Sequence, residues 1–225
     1  MKTIVFAASK GGVGKTTLAF NVAVEAAKCG SVFLADMDPQ KSLETFSEIR
    51  GGTNPLLLKN VQSVPRAIVD LERTGFARDF LIVDTPGSFM NIIKDAVSAA
   101  DCVVVPMQPS PIDILAQEDV LLLIERLGKK ACTLPVLSRV DGRTGIRDAV
   151  ERISGMFDLP CITVKNRIAY ARALIAGKAA SEIDHTCAGE AQGVWNSIKH
   201  AMGVDDERTR HDEATAEIDA GSRGG

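Results

Sequence analysis

Ile4-Val5-Phe6-Ala7-Ala8-Ser9-Lys10-Gly11-Gly12-Val13-Gly14-Lys15-Thr16-Thr17 passes from an apolar run, through three glycines, into a helical pattern with apolar residues at Leu18, Val22 and Ala26. A glycine-rich turn entering a helix N-terminus aims several backbone N–H groups at one point and adds the positive end of the helix dipole. Both favour a phosphate. Lys15 supplies a mobile cation for the β- and γ-phosphates, and the Thr16 hydroxyl can ligand Mg²⁺. A turn that only tightened a strand–helix corner would not need the Lys-Thr pair. The ordinary pattern has glycine where Ser9 stands, and the next position, Lys10, is either a surface lysine beside the site or a second cation directed at the phosphates.

Outward from this loop, short apolar runs alternate with helical patterns. Thr3–Ala8, Val32–Asp36, Phe80–Asp84, Cys102–Met107, Leu134–Val140 and Cys161–Val164 read as strands. They are too continuously apolar to be half-exposed, so they suit a parallel sheet buried on both faces. Thr16–Lys28, Gln40–Arg50, Pro65–Arg73, Met90–Ala100, Ile112–Leu127 and Gly145–Met156 read as the intervening helices, and Ala188–Met202, with Trp195, as a last one. The alternation predicts right-handed crossovers and an α/β fold with a doubly wound, mostly parallel sheet. Ligands of such sheets sit beyond the carboxyl ends of the strands, where the loop and the acids below all fall. Gly51 to Pro55 reads as a loop. Residues 1–203 form one expected domain, and the polar segment 204–225 is an expected disordered tail with almost nothing apolar to bury.

The 225 residues are 45% hydrophobic and 24% charged, with a formal net charge of -3. That length suits one α/β domain, and the balance gives no global basic field for nucleic acid. A local basic face is still allowed by 26 Lys and Arg. Five scattered cysteines, without a CxxC pair, point to free thiols in a reduced cytoplasm. No stretch approaches the ~20 apolar residues that a membrane span needs.

Two strands end in acids. Leu81-Ile82-Val83-Asp84 precedes Thr85-Pro86-Gly87. An aspartate closing a buried strand is costly unless it works with a cation or caps the next turn, and Asp84 reads as an acid acting on Mg²⁺ through water. Val32-Phe33-Leu34-Ala35-Asp36-Met37-Asp38-Pro39-Gln40 ends in two acids whose i, i+2 spacing puts them on one face of an extended chain. Asp38 is the candidate for the catalytic role, with a share in the metal, and Asp36 for a place nearer the phosphates. Either could instead cap the helix that begins near Gln40.

Lys10-Gly11-Gly12-Val13-Gly14-Lys15-Thr16-Thr17 resembles the deviant Walker A motif of the ParA/MinD superfamily, whose fold is of the P-loop NTPase type. In that group the early lysine reaches across a face-to-face dimer onto the partner's ATP, and the resemblance gives Lys10 that role. Asp36 to Gln40 matches the ParA stretch "DxDPQ", in which the second acid positions the attacking water. Val103 to Asp113 resembles the segment after the fifth strand in short ParA proteins, and Leu137 to Thr144 the stretch near the base. In the latter Ser138 replaces the usual asparagine and Gly142 the usual proline, and Arg139 is a candidate nucleotide contact. Arg167 to Leu174, followed by Gly177, is also similar to the short-ParA pattern, and no extension precedes the loop, which implies the form without a helix-turn-helix domain.

The resemblance implies an ATPase that uses ATP and Mg²⁺, forms an ATP-dependent homodimer, coats nonspecific DNA and is released by a ParB-like adaptor. Plasmid or chromosomal DNA is the implied cargo, in a cytoplasmic, nucleoid-associated setting. Arg139, Arg143, Arg147, Arg152, Lys165, Arg167 and Arg172 are candidate DNA contacts, and a solvated face is the plainer reading of each. A related ATPase that positions a protein cargo, such as a chemoreceptor cluster or secretion apparatus, would use the same residues. A MinD-like membrane switch would need a basic amphipathic C-terminal helix, and the chain instead reads Asp205-Asp206-Glu207 there. An iron–sulfur reductase would need a cysteine soon after Asp84, where Ser88-Phe89-Met90 offers none. Asp113, Glu118 and Asp119 read as an exposed acidic helix face or adaptor surface.

Overall fold

A computed structural model of the chain describes residues 1–141 and 146–204. The predicted tail, apart from Val204, and the candidate contact Arg143 lie outside the described residues. The elements alternate as expected for a parallel sheet: β1 (Lys2–Phe6), α1 (Lys15–Ala26), β2 (Val32–Asp36), α2 (Ser42–Arg50), β3 (Leu56–Leu58), α3 (Val64–Thr74), β4 (Phe80–Asp84), α4 (Met90–Ser98), β5 (Cys102–Met107), α5 (Pro111–Leu115), α6 (Glu118–Arg126), β6 (Thr133–Val140), α7 (Ile146–Phe157), β7 (Ile162–Lys165), α8 (Ile168–Ile175) and α9 (His185–Ala201). The strand order is β3-β2-β4-β1-β5-β6-β7, and every neighbouring pair is parallel.

The two-residue period of the strands sorts their side chains onto two faces. Ile4, Phe6, Leu34 and Ile82 point to the layer of α1, α8 and α9, where Phe20, Leu174 and Trp195 fill the space. Val5, Phe33, Leu81 and Val83 point to the opposite layer, against Ile93, Ile114, Ile124 and Ile153. Trp195 meets Phe80 edge-on, with ring centroids 5.0 Å apart, and so belongs to the core. The register sets Phe6 beside Asp84, and Asp84 beside Asp36, so both acids emerge at the carboxyl edge next to the loop after β1.

Three features depart from the sequence expectations. The strand β3 is only three residues long, too short to show an alternation. The single helix expected over Ile112–Leu127 is two, α5 and α6, parted at Ala116-Gln117. Gln117 is fully buried there: its amide donates to the Asp113 carbonyl at 3.2 Å, and its Oε1 accepts the Ser9 N–H at 3.1 Å. Ser9 Oγ donates to the Ala116 carbonyl, so the helix is interrupted where it grips the phosphate loop. The last helix begins at His185, ahead of Ala188, because Asp184 caps it by accepting the Thr186 N–H at 2.8 Å.

Candidate functional site

The loop between β1 and α1 turns through two left-handed glycines, Gly12 (φ 77°) and Gly14 (φ 94°). These are conformations that L side chains adopt only at a cost, which explains glycine at both positions. Gly14 stands at the N-terminus of α1, whose first amides are the free donors that the sequence pattern leads one to expect. Gly87 shows how tightly the next loop is laid on this one: a Cβ there would stand 2.9 Å from the Gly11 nitrogen. Gln108, from the end of β5, donates to the Gly12 carbonyl at 3.1 Å and closes the third side.

The two lysines of the loop have different surroundings. Lys15 is 6% exposed, and its ammonium donates to the Lys10 carbonyl at 3.1 Å. Burial lowers its pKa, and the nearby Asp84 and Asp38 carboxylates oppose that shift. Lys10 is exposed, and its ammonium pairs with the carboxylate of Asp113 in α5. Asp113 is 7% exposed, which corrects its reading as part of an exposed acidic face; Glu118 and Asp119 are exposed. The Pro109-Ser110-Pro111 stretch starts α5 abruptly and turns Asp113, in its first turn, toward the loop.

Asp84 is buried at the carboxyl end of β4. Thr16 Oγ1 donates to its Oδ2 at 2.6 Å, while its Oδ1 is buried without any hydrogen-bond partner. Burial pushes its pKa up from 3.8 to about 7; Thr16 and Lys15 pull the other way, and Asp36 adds to the rise. An orphaned buried carboxylate oxygen beside a threonine hydroxyl is a donor set of the kind Mg²⁺ takes, and these residues fit the ion. Of the other two acids, Asp36 contacts the first turn of α2, through the Glu44 N–H, whereas the partner of Asp38, Gln40, lies before that helix. Asp36 accepts the Asp38 N–H and the Glu44 N–H, both at 3.0 Å, so its oxygens fix the turn after β2 and the start of α2. Burial raises its pKa against those amides. Asp38 is half-buried, and its carboxylate accepts the Gln40 N–H at 2.9 Å. Asp36 is thus bound to the main chain of its own loop, and Asp38 is the more accessible acid facing Lys15.

Beside Gly14 and Thr17 a cleft of about 410 Å³ opens between the ends of β6 and β7 and the helix α8. Ser138, which stands where the family pattern has asparagine, is buried, and its hydroxyl donates to the Val13 carbonyl at 2.5 Å and the Met107 carbonyl at 3.2 Å. Its work is to hold the loop onto the sheet. Arg139 is exposed on the rim of this cleft, with φ 54°. Among the other candidate basic contacts, Arg152, Lys165 and Arg172 are exposed, and Arg147 pairs with Glu151 on the surface of α7 at 3.3 Å. Arg167 is held by Glu190 of α9 through Nε (3.0 Å) and Nη2 (2.8 Å), and Glu190 also accepts the Tyr170 hydroxyl at 3.3 Å. That network ties α8 to α9. Gln117 and Glu190 escaped the sequence reading, and so did the pairing of Asp113 with Lys10, since these partners lie far apart in the chain or in different helices and no local spacing announces them.

Residues 4–180 match the model of the CobQ/CobB/MinD/ParA nucleotide binding domain. The chain belongs to this family. Among its ParA/MinD-type relatives is a maintenance of carboxysome distribution protein A from Halothiobacillus neapolitanus, 26% identical over 209 residues that cover 87% of this chain and 95% of that protein. Another is the chromosome-partitioning ATPase Soj of Thermus thermophilus, 29% identical over 185 residues, 67% of this chain and 74% of that one. A solved ATP complex of a McdA variant from Cyanothece shares the fold, with a TM-score of 0.70 at 19% identity over 92% of this chain and 98% of that chain. No helix among the described residues is long and apolar enough to cross a membrane.

Proposed function

We propose that this chain is a dimerising switch ATPase that segregates plasmid or chromosomal DNA, binding nonspecific DNA in its ATP form and stimulated by a ParB-like adaptor. The observation that carries the reading is the split between the two loop lysines, one buried against the metal-site acid and one exposed at the rim. The amides of Gly11, Gly12, Val13, Gly14, Lys15, Thr16 and Thr17 bind the phosphates, with Lys15 between the β- and γ-groups. Thr16 and Asp84 would hold Mg²⁺, which would supply neutralisation of phosphate charge. Asp38 orients the attacking water, whose oxygen bonds to the γ-phosphorus as the bridging oxygen leaves with ADP. Asp36 holds the main chain that aims Asp38. Lys10 leaves Asp113 and reaches the partner's triphosphate, which makes dimerisation depend on ATP.

The exposed residues Arg139, Arg147, Arg152, Lys165 and Arg172 supply a sequence-independent, salt-sensitive DNA surface. The two hydrogen bonds from Arg167 to Glu190 Oε1 leave it a smaller share. A protein cargo is the second reading, favoured by the likeness to the carboxysome distribution protein along 95% of its length. Retention of an arbitrary duplex by the Asp38→Ala variant, with ATP and with ADP, tests the first step. Retention is expected with ATP only, and Arg172→Glu with Arg152→Glu is expected to weaken it roughly tenfold or more at moderate salt while ATP binding persists. Equal retention with ATP and ADP, or none with either, contradicts the DNA reading.

A further inference from the structure

We infer that Asp113 is a positioning residue that holds Lys10 back from the partner subunit and so sets the threshold for dimerisation; this rests on the reading of Lys10 as the cation that joins two ATP-loaded copies. The Lys10 ammonium lies on the Asp113 carboxylate, and the two ends of the pair have different surroundings. The lysine side chain is 46% exposed, and that of the aspartate is 10% exposed. Water takes over the ammonium when the pair opens, but it has little access to the carboxylate. The cost of opening therefore falls on Asp113.

The main chain around Lys10 leaves its side chain as the moving part. On one side, the Ser9 N–H donates to Gln117 Oε1 at 3.1 Å and the Ser9 hydroxyl donates to the Ala116 carbonyl. On the other, Gly11 lies so close to Gly87 that a Cβ there would stand 2.9 Å from its nitrogen. The Lys10 carbonyl accepts the Lys15 ammonium at 3.1 Å. Asp113 is fixed as well, because its own carbonyl accepts the carboxamide of buried Gln117 at 3.2 Å. The ammonium changes partners by side-chain rotation, and the carboxylate stays where it is.

Association makes that carboxylate costlier. Ile112 and Leu115, on the same short helix as Asp113, are exposed apolar side chains. A second copy seated over Lys10 covers them and takes away the remaining water near Asp113 as the lysine departs. Each dimer then holds an unpaired carboxylate in either subunit, and this opposes association until the triphosphates outweigh it. A neutral group of the same shape at position 113 removes the opposition.

Sedimentation equilibrium of the Asp38→Ala chain with ATP and Mg²⁺, alone and combined with Asp113→Asn, tests this. The dimer dissociation constant is expected to fall roughly tenfold or more with Asp113→Asn. Asp113→Ala, which also removes the charge, is expected to act in the same direction. Loss of packing around α5 would weaken the dimer, so tightening separates the restraint from a merely structural role. With ADP, the Lys10 amine is expected to react faster with an acylating ester in Asp113→Asn than in the chain that keeps Asp113, read by peptide mass spectrometry. A dissociation constant that stays the same or rises in the variants overturns the restraint, as does equal acylation of Lys10, and the Lys10 reading stands. An Asp38→Ala chain that remains monomeric with ATP overturns both.

Discussion

The floor and the rim of the phosphate loop are five residues apart in the chain and are built in opposite ways. On the floor, Lys15, Thr16 and Asp84 are packed under the loop: the Lys15 ammonium donates to the Lys10 carbonyl, the Thr16 hydroxyl donates to Asp84 Oδ2, and Asp84 Oδ1 is buried without a hydrogen-bond partner. On the rim, Ser9 is tied to the junction of α5 and α6, while Lys10 holds a single carboxylate, that of Asp113, from a side chain 46% exposed. A buried charge is held in place by the cost of leaving it unpaired, and this applies to Lys15 and to the Asp113 carboxylate, whereas Lys10 itself stays largely in water. The difference gives one loop two cations of different kinds, one buried beneath it and one exposed on its edge.

Substitution of the floor has the largest expected effect. Lys15→Ala removes the buried cation and leaves Asp84 without its opposing charge. ATP affinity, measured by calorimetry, is expected to fall about a hundredfold or more, in line with the loss of a desolvated charged contact. A loss of only a few-fold would place Lys15 with Lys10 as a dispensable rim group and break the comparison.

Asp84→Asn sharpens it with a smaller effect of opposite sign on stability. The free carboxyl ionises near 3.8 and the folded one near 7, so the folded chain holds the extra proton between those values. Its contribution to stability is therefore lost as the pH rises from about 4 to about 7, until a cation binds. Asp84→Asn is expected to raise the melting temperature at pH 8 by a few degrees in the absence of Mg²⁺, since about 1 kcal/mol corresponds to 2–4 °C for a chain of this size. The same change is expected to abolish stabilisation by Mg²⁺ with ATP, and in the unmodified chain that stabilisation is expected to grow as the pH rises through 7. Lower stability of Asp84→Asn at pH 8 contradicts the assignment of the raised carboxyl.

The floor was legible in the sequence, and the rim largely was not. Gly12, Gly14, Lys15 and Thr16 are contiguous, and their physical demands are local: left-handed turns, a helix start and one cation. Asp84 announced itself because an acid ending four buried apolar residues has few uses. The seven strands were legible down to six, and β3 was missed because three leucines carry no period. What stayed hidden depends on tertiary pairing. Asp113 lies 103 residues from Lys10, and Gln117 108 residues from Ser9, and nothing in the spacing of Ile112 to Leu127 separates a continuous helix from one broken to grip a loop. Asp36 and Asp38 show an intermediate case. Their spacing placed both at the site, but it took the amides of Asp38 and Glu44 to show that both oxygens of Asp36 are bound to the main chain.

The central claim is that the rim lysine, and not the floor, makes the dimer. Sedimentation velocity of the Asp38→Ala chain with ATP and Mg²⁺, beside the same chain carrying Lys10→Ala, tests it most directly, with ATP binding confirmed for both. The account predicts a dimer for the first and a monomer for the second, each loaded with nucleotide. Equal dimerisation of the two, or a monomer in both, would contradict it.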